Sequence, residues 1–449
     1  MTIDATHKHG QWSSRVGFIL AATGSAVGLG NIWKFPYMAG QSGGAAFVLV
    51  YLGCILLIGL PILVTEWLIG RRGQSNPIAS MTKVARAEGL SSAWGLVGAT
   101  GILGAFLILS FYSVIGGWAL AYVLDAAQGA FNGYTSATAG AAFEGFLAKP
   151  GSLLAWHTVF MVLTVGVVAA GVAGGLERAS KLLMPALGVI LLIMLGYAMT
   201  TGAFGQAAQF LFTPDWSKVS GKVFLAALGH AFFTLSLGMG IMLAYGSYLG
   251  QGVNLIRAAG IVVLLDTVIA LCAGMAIFPL VFAHHLEPAA GPGLVFITLP
   301  IAFGEMTGGL LLGVLFFVLL TFAALTSSIS LLEPVVALLE ERTPLSRRAA
   351  TMVAGVAVWA LGIAALLSFN VWADVKVAGL NMFDLLDHLT SKFLLPLTGL
   401  GIIVFAAWRL NQATIHRELD LGPTGAMIWT VLTRFVAPIG VLVVFVASL

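Results

Sequence analysis

The sequence predicts an all-α membrane protein of eleven transmembrane helices, arranged as inverted five-helix repeats with helices 1 and 6 interrupted. Three observations predict it. First, the chain of 449 residues is 59% hydrophobic and 9% charged, with a mean hydropathy of +1.01. That leaves too few polar groups to cover a water-facing surface. Second, the apolar residues fall in unbroken runs of about 20, the length of a spanning helix rather than of an alternating barrel strand. Third, two of these runs carry glycine clusters at mid-membrane depth: Gly24-Ser25-Ala26-Val27-Gly28-Leu29-Gly30 in span 1 and Gly238-Met239-Gly240 in span 6. Glycine destabilises a helix interior, although it also permits close helix packing. Interruptions five spans apart point to inverted repeats around a central site.

The spans are expected near 15–39, 43–71, 94–126, 155–173, 181–202, 222–249, 256–282, 308–340, 347–369, 377–409 and 425–448. They form one polytopic domain over 1–449, with repeats at about 15–202 and 222–409 and an extra helix at about 425–448. Spans 3, 8 and 10 exceed what a bilayer needs, which implies tilt. In loop 283–307, Gly291-Pro292-Gly293 precedes the apolar run Leu294 to Phe303, too short to span and read as a helical lid. With the N-terminus in the cytoplasm, the inner segments hold Lys8, Arg15, Arg71, Arg72, Lys83, Arg86, Arg178, Lys181, Arg257, Arg342, Arg347, Arg348, Arg409 and Arg417, fourteen of the 21 basic residues. The outer loops hold Lys149, Lys218, Lys222 and Lys376. The positive-inside rule therefore expects a multi-pass protein of the cell inner (plasma) membrane with its C-terminus outside. The net charge of +3 is spread thinly, so a nucleic-acid partner is not expected. Cys54 and Cys272 lie in apolar runs and read as small hydrophobes, not as a disulfide or metal pair. No small-residue cleavage site follows the polar N-terminus, so no signal peptide is read.

Trp12-Ser13-Ser14-Arg15 and Gly24 through Asn31-Ile32-Trp33-Lys34-Phe35-Pro36-Tyr37 resemble the signature of the neurotransmitter:sodium symporter family. So do Phe232-Phe233-Thr234-Leu235-Ser236-Leu237-Gly238, Phe296-Ile297-Thr298-Leu299-Pro300 and Leu325-Thr326-Ser327-Ser328-Ile329. The matches are in order, cover spans 1 to 10, and together are highly specific. Within the family the chain is similar to eleven-helix bacterial amino acid transporters. The resemblance implies sodium-coupled symport of a neutral, hydrophobic or aromatic L-amino acid by alternating access, with two Na⁺ ions.

Na⁺ is a hard cation, and unwound carbonyls and half-helix C-termini suit it. The resemblance implies one ion at the carbonyls of Gly24, Val27 and Ala323 and the hydroxyls of Thr326 and Ser327. Such hydroxyls commonly bond back to their own helix. The other ion would take the Ala26 carbonyl, Asn31, Thr234 and Asp266. Asn is usual in the family where this chain has Asp266, and a buried carboxylate is costly unless paired or bound to a cation. The substrate site would comprise Gly24, Ser25, Ala26, Gly30, Ile108, Tyr112, Phe233, Thr234, Ser236, Met239, Ser327 and Leu331. The Tyr112 hydroxyl and span 1 N–H groups would face the substrate carboxylate, and Gly24 would leave room for it. Singly, Ile108 and Leu331 are ordinary packing residues.

Lys34 and Asp387 match an outer ionic gate, although Lys34 also suits snorkelling to the interface. Glu341 resembles the acidic half of an inner gate. Its aligned partner is His9, beside Lys8, where the family favours Arg, so a bidentate latch is not expected. Trp12 would plug the inner side. In chloride-dependent relatives Tyr, Gln and Ser hold the ion. Here Tyr51 matches, but His230 replaces Gln and Ala270 replaces Ser. Chloride is therefore not expected, and Asp266 and His230 become candidates for charge compensation or proton carriage. Glu66 matches a carboxylate that braces the unwound part of span 6, and Glu333 acquires no role. An intramembrane enzyme is disfavoured, because no His-Glu-x-x-His pattern or nucleophile beside a base is seen. A non-transporting amino acid sensor on the same scaffold is the alternative.

Overall fold

The computed structural model describes residues 10–286 and 293–447. The chain is helical: α1 (Arg15–Ala26), α2 (Gly30–Gln41), α3 (Ala45–Gly73), α4 (Pro77–Ala87), α5 (Ser92–Ala127), α6 (Ser136–Leu147), α7 (Pro150–Ala169), α8 (Val172–Ala198), α9 (Phe204–Phe212), α10 (Gly221–Thr234), α11 (Ile241–Ser247), α12 (Leu255–Ala283), α13 (Leu294–Glu305), α14 (Gly309–Arg342), α15 (Arg347–Leu367), α16 (Met382–Arg409), α17 (Gln412–Glu418) and α18 (Pro423–Ala447). Among the described residues, nine helices are long and apolar enough to cross a membrane, and α1 with α2 makes a tenth candidate bent by 57°. The expected sixth span is two short helices, α10 and α11, separated by non-helical Leu235–Gly240.

Local chemistry sets the boundaries. Side-chain oxygens of Asn254 and Ser346 cap α12 and α15 by accepting from backbone N–H groups three residues on, the usual satisfaction of a helix start. The long helices α5 and α14, 36 and 34 residues, pack on each other through the centre of the molecule. The expected lid is the helix α13, whose Phe296 carbonyl accepts from Tyr122 on α5 at 3.1 Å. Gly291 and Pro292 lie outside the described residues. Cys54 is buried and Cys272 half-buried, and both are free.

One boundary corrects the sequence reading. The fifth span was expected to start near 181, leaving Glu177 and Arg178 in a loop. Instead α8 starts at Val172, after Gly171 turns the chain with φ of 89°. Glu177 is buried because its carboxylate is fully engaged. It accepts from the Ser13 amide (2.7 Å), the Ser13 and Ser14 hydroxyls (2.6 and 2.8 Å) and the Lys181 ammonium (2.6 Å).

Candidate functional site

The two interrupted helices meet in the middle of the molecule. α1 ends at Ala26, and Val27 leaves the helix with ψ of 95° before α2 begins. On the other side, Ser236, Gly238 and Gly240 have φ of 53°, 71° and 70°. That left-handed conformation is open to glycine and strained at Ser236 by about 1 kcal/mol or more. Three contacts hold the strained segment. The Ser236 hydroxyl donates to the Ser25 carbonyl (2.9 Å), the Ser25 hydroxyl donates to the Ser236 hydroxyl (3.1 Å), and the Gly238 amide donates to Glu66 (2.8 Å). Glu66 thus braces the break as expected, by a direct hydrogen bond.

Between the breaks lies a small cavity. Eleven of the twelve residues proposed from the sequence line it: Ser25, Ala26, Gly30, Ile108, Tyr112, Phe233, Thr234, Ser236, Met239, Ser327 and Leu331. Gly24 is the correction. It points away from the cavity, and a Cβ there would meet Met184 and Thr326 at 3.2–3.3 Å. Gly28 takes its place in the wall. A Cβ at Gly28 would stand 2.5 Å from the Ser327 hydroxyl and 3.1 Å from that of Tyr112, so only glycine admits both. The Tyr112 hydroxyl accepts from the Leu29 amide at 3.3 Å, which fixes it beside the start of α2.

A polar cluster adjoins the cavity. One Asp266 oxygen accepts from the Asn31 amide (2.7 Å) and the Thr234 hydroxyl (3.0 Å), while the other accepts from Tyr51 (3.2 Å). Thr234 also reaches the Asn31 oxygen at 3.3 Å, which in turn accepts from the Gly28 amide at 3.1 Å. Asp266, Asn31 and Thr234 therefore bring three oxygens together beside Ala26, on four separate chain segments counting Tyr51. Of the second proposed ion set, Gly24, Ala323, Thr326 and Ser327 have contacts at the break of α1. Thr326 bonds back to its own helix at Phe322 and Ala323 (3.1 Å each), but Ser327 reaches across to the Ser25 carbonyl (3.3 Å), and Thr326 packs against Gly24. Val27 stands at the open end of α1 beside them in sequence.

The gate residues are placed less as expected. Lys34 and Asp387 line one vestibule of about 860 Å³ on the side opposite the N-terminus, but no ion pair joins them among the described residues. The Lys34 ammonium sits 5.2 Å above the Phe233 ring, and Asp387 accepts from Ser391 at 2.9 Å. On the other side, the indole N–H of Trp12 donates to the Tyr245 carbonyl (3.0 Å) and its amide to that of Tyr248 (3.2 Å). Glu341 holds the Asn76 amide and side chain at 2.7 and 2.6 Å. Lys8 and His9 lie outside the described residues. His230 makes no hydrogen bond to Asp266. Its ring packs on Tyr51, with centroids 5.3 Å apart, so any coupling runs through that tyrosine. Ala270 is buried nearby on the Asp266 helix.

Sequence reasoning missed three groups. Gly28 stood inside a quoted motif, but the helix break at Val27 hid which way it faces. Tyr51 as an Asp266 ligand, and Arg347 as the partner of Glu333, join distant segments and left no local signal.

Two broken helices around a mid-membrane cavity, with an apolar wall on one side and an oxygen cluster on the other, define a membrane carrier of the broken-helix class. The chain belongs to the sodium:neurotransmitter symporter family, whose model matches residues 9–138 and 141–449. The family is one of transporters, not enzymes, and the chain is an integral membrane protein. It is 39% identical over 97% of its length to an uncharacterized sodium-dependent transporter, YhdH, of Bacillus subtilis, of which 96% is covered. It is 25% identical to the sodium-dependent serotonin transporter of Drosophila melanogaster, over 98% of this chain and 76% of that one. Among solved structures, the crystal structure of MhsT in complex with L-phenylalanine superposes with a TM-score of 0.90, at 46% identity, covering 98% of this chain and all of MhsT.

Proposed function

We propose that the protein is an eleven-span symporter of the cell inner membrane, N-terminus inside and C-terminus outside, that carries a neutral, hydrophobic or aromatic L-amino acid inward with Na⁺. The observation that carries this reading is the Asp266–Asn31–Thr234 oxygen cluster set against an apolar cavity at the meeting of two helix breaks. The substrate carboxylate would lie between Tyr112 and the first cation, completing its shell, while Ser25, Ile108, Phe233, Ser236, Met239 and Leu331 enclose the side chain. The second cation would sit among Gly24, Val27, Ala323, Thr326 and Ser327. MhsT, which bears L-phenylalanine in its structure, supports an aromatic guest.

Alternating access follows as rocking of α1–α3 and α10–α12 against the remaining helices. A ligand drives such a change only through its different affinity for the two forms. Cation and substrate both bridge the bundle to α5 and α14, through Tyr112 and Ser327, so each favours the form in which those surfaces meet. Uptake of labelled phenylalanine into proteoliposomes under an inward sodium gradient tests the reading. Binding without accumulation would instead establish the sensor.

Met239 sets the expected breadth. A thioether repacks more readily than a rigid ring, so large guests are accommodated. Met239→Phe is expected to weaken phenylalanine and tryptophan uptake several-fold more than alanine uptake, at roughly 1 kcal/mol of overpacking. An unchanged preference order in competition assays removes Met239 from the contact surface.

The ion balance is the second expectation. The tyrosine matched to chloride binding in relatives here donates to Asp266, which supplies the negative charge itself. Replacing chloride by gluconate is expected to leave uptake unchanged. Once Na⁺ and substrate leave, an ionised buried Asp266 loses its cation, and taking a proton relieves that cost. Uptake under a fixed sodium gradient is therefore expected to depend on internal pH between about 5.5 and about 8.5. Asp266→Asn should weaken the dependence and His230→Gln should leave it intact. Loss of uptake in gluconate, or indifference to internal pH, contradicts the respective half.

A further inference from the structure

Beyond the central site, a larger cavity of about 350 Å³ opens between α2, α10, α16 and α18, on the vestibule side of the molecule. Four polar residues line it: Lys34 of α2, His230 of α10, and Ser391 and Lys392 of α16, the Ser391 hydroxyl being spent on Asp387 at 2.9 Å. His230 is 1% exposed, yet neither ring nitrogen has a hydrogen-bond partner among the described residues. Its neighbours are the faces of Tyr51 and Phe35, which supply packing and no hydrogen bond to the ring. A buried polar group left unpaired is costly, so a ligand that pairs it binds more tightly.

Neither lysine has a carboxylate within ion-pairing distance among the described residues. Lys34 lies over Phe233, and both acids of α16 that line the vestibule accept from neighbours, Asp387 from Ser391 and Asp384 from Asn381. Two ammonium groups without a counter-ion and an imidazole without a partner form a site for an anion. The remaining wall decides what the anion carries. Met38, Leu225, Leu395, Val441 and Ala447 are apolar, and α18, which supplies two of them, has only 28% of its apolar window buried. Ala226 of α10 and Ala447 of α18 are exposed, so the cavity opens to the outside of the helix bundle between these two helices.

We propose that this cavity binds an anionic amphiphile, with its acid headgroup at Lys34, Lys392 and a His230 N–H and its alkyl tail along α10 and α18. The same chemistry is offered by a free medium-chain carboxylate and by an anionic phospholipid of the surrounding leaflet. Lys34 also lines the vestibule. A bound anion competes with Asp387 for that ammonium, holds the vestibule open and slows transport. This consequence rests on the proposed outer gate, whereas binding itself does not.

The test is photolabelling of the full chain in phosphatidylcholine nanodiscs by decanoic acid bearing a terminal diazirine, without sodium or amino acid. Label is expected on peptides of α10 and α18 that line the cavity, with protection by excess decanoate and none by decan-1-ol. Lys392→Glu, at an exposed position, is expected to cut labelling about tenfold, the weight of one charge-assisted contact. Ala226→Trp, also exposed, fills the cavity and should do the same while sodium-driven uptake persists. Protection by phosphatidylglycerol but not by decanoate assigns the site to lipid and upholds the headgroup chemistry. Equal protection by decan-1-ol, label spread over all lipid-facing helices, or labelling indifferent to both substitutions overturns the proposal.

Discussion

Replacing Thr326 by Val together with Ser327 by Ala is expected to abolish sodium-dependent uptake while the protein still folds. The two hydroxyls make weak contacts at present: Thr326 to carbonyls of its own helix at 3.1 Å and Ser327 to the Ser25 carbonyl at 3.3 Å. Losing each costs about 1 kcal/mol of stability, and valine keeps the shape of threonine. For a bound cation the same change removes two of five proposed oxygens. Each oxygen ligand to a charge is worth about 1.5–3 kcal/mol, so the pair weakens sodium binding by roughly two to four powers of ten. Asn31→Leu is expected to end sodium dependence at the other site, but it also strips Asp266 of its 2.7 Å donor. A buried carboxylate that loses a partner lowers stability, so the hydroxyl pair is the cleaner probe. The measurement is initial uptake of labelled phenylalanine against external sodium, with the thermal unfolding midpoint as the check on folding. Uptake that keeps its sodium dependence in a folded Thr326→Val, Ser327→Ala variant would sink the assignment.

The lining of the central cavity was largely legible in the sequence because its residues come from segments with local signatures. Glycine breaks mark Ser25 to Gly30 and Ser236 to Gly240, and the Thr326-Ser327 pair sits in a recognisable run. Gly24 shows the limit of that legibility. One residue of helical phase decides whether a position faces the cavity or Met184, and a helix that stops at Ala26 does not transmit its phase to Gly28. The Lys34–Asp387 ion pair is absent among the described residues for another reason. Lys34 and Asp387 were paired by charge, but an ammonium can rest on an aromatic face and a carboxylate can accept a hydroxyl, and the chain uses both alternatives. Glu177 was misplaced because a run of charged residues reads as solvated until the four donors that meet it are known.

Glu333 illustrates the same point and leads to the other large effect, a loss of stability in Arg347→Ala. Glu333 is fully buried on α14, where the sequence offers no partner within a helical turn. The partner is Arg347, across the tight connection to α15. Its guanidinium engages both Glu333 oxygens, one of them at 3.0 Å, and also donates to Glu340 and to the Val168 carbonyl at the end of α7, each at 3.2 Å. Tyr248, just past α11, donates to the same carboxylate at 2.6 Å, and its carbonyl receives the Trp12 amide. One buried ion pair thus ties three helices of the scaffold to the inner half of the broken span and to the plug. Removing Arg347 leaves the buried Glu333 without its counter-charge, at a cost of about 3–5 kcal/mol. The unfolding midpoint of Arg347→Ala is expected to fall by several degrees or more, and a cysteine placed at Ser13 to become more reactive as the plug loosens. Glu333→Leu with Arg347→Met removes both charges and should restore most of the stability, because an apolar pair of similar size replaces a buried ion pair at little net cost. It should leave the plug loose, since the Tyr248 hydroxyl has then lost that acceptor. Arg347→Ala as stable as the parent, or a double variant no better than the single, would show that the carboxylate is neutralised by something other than Arg347.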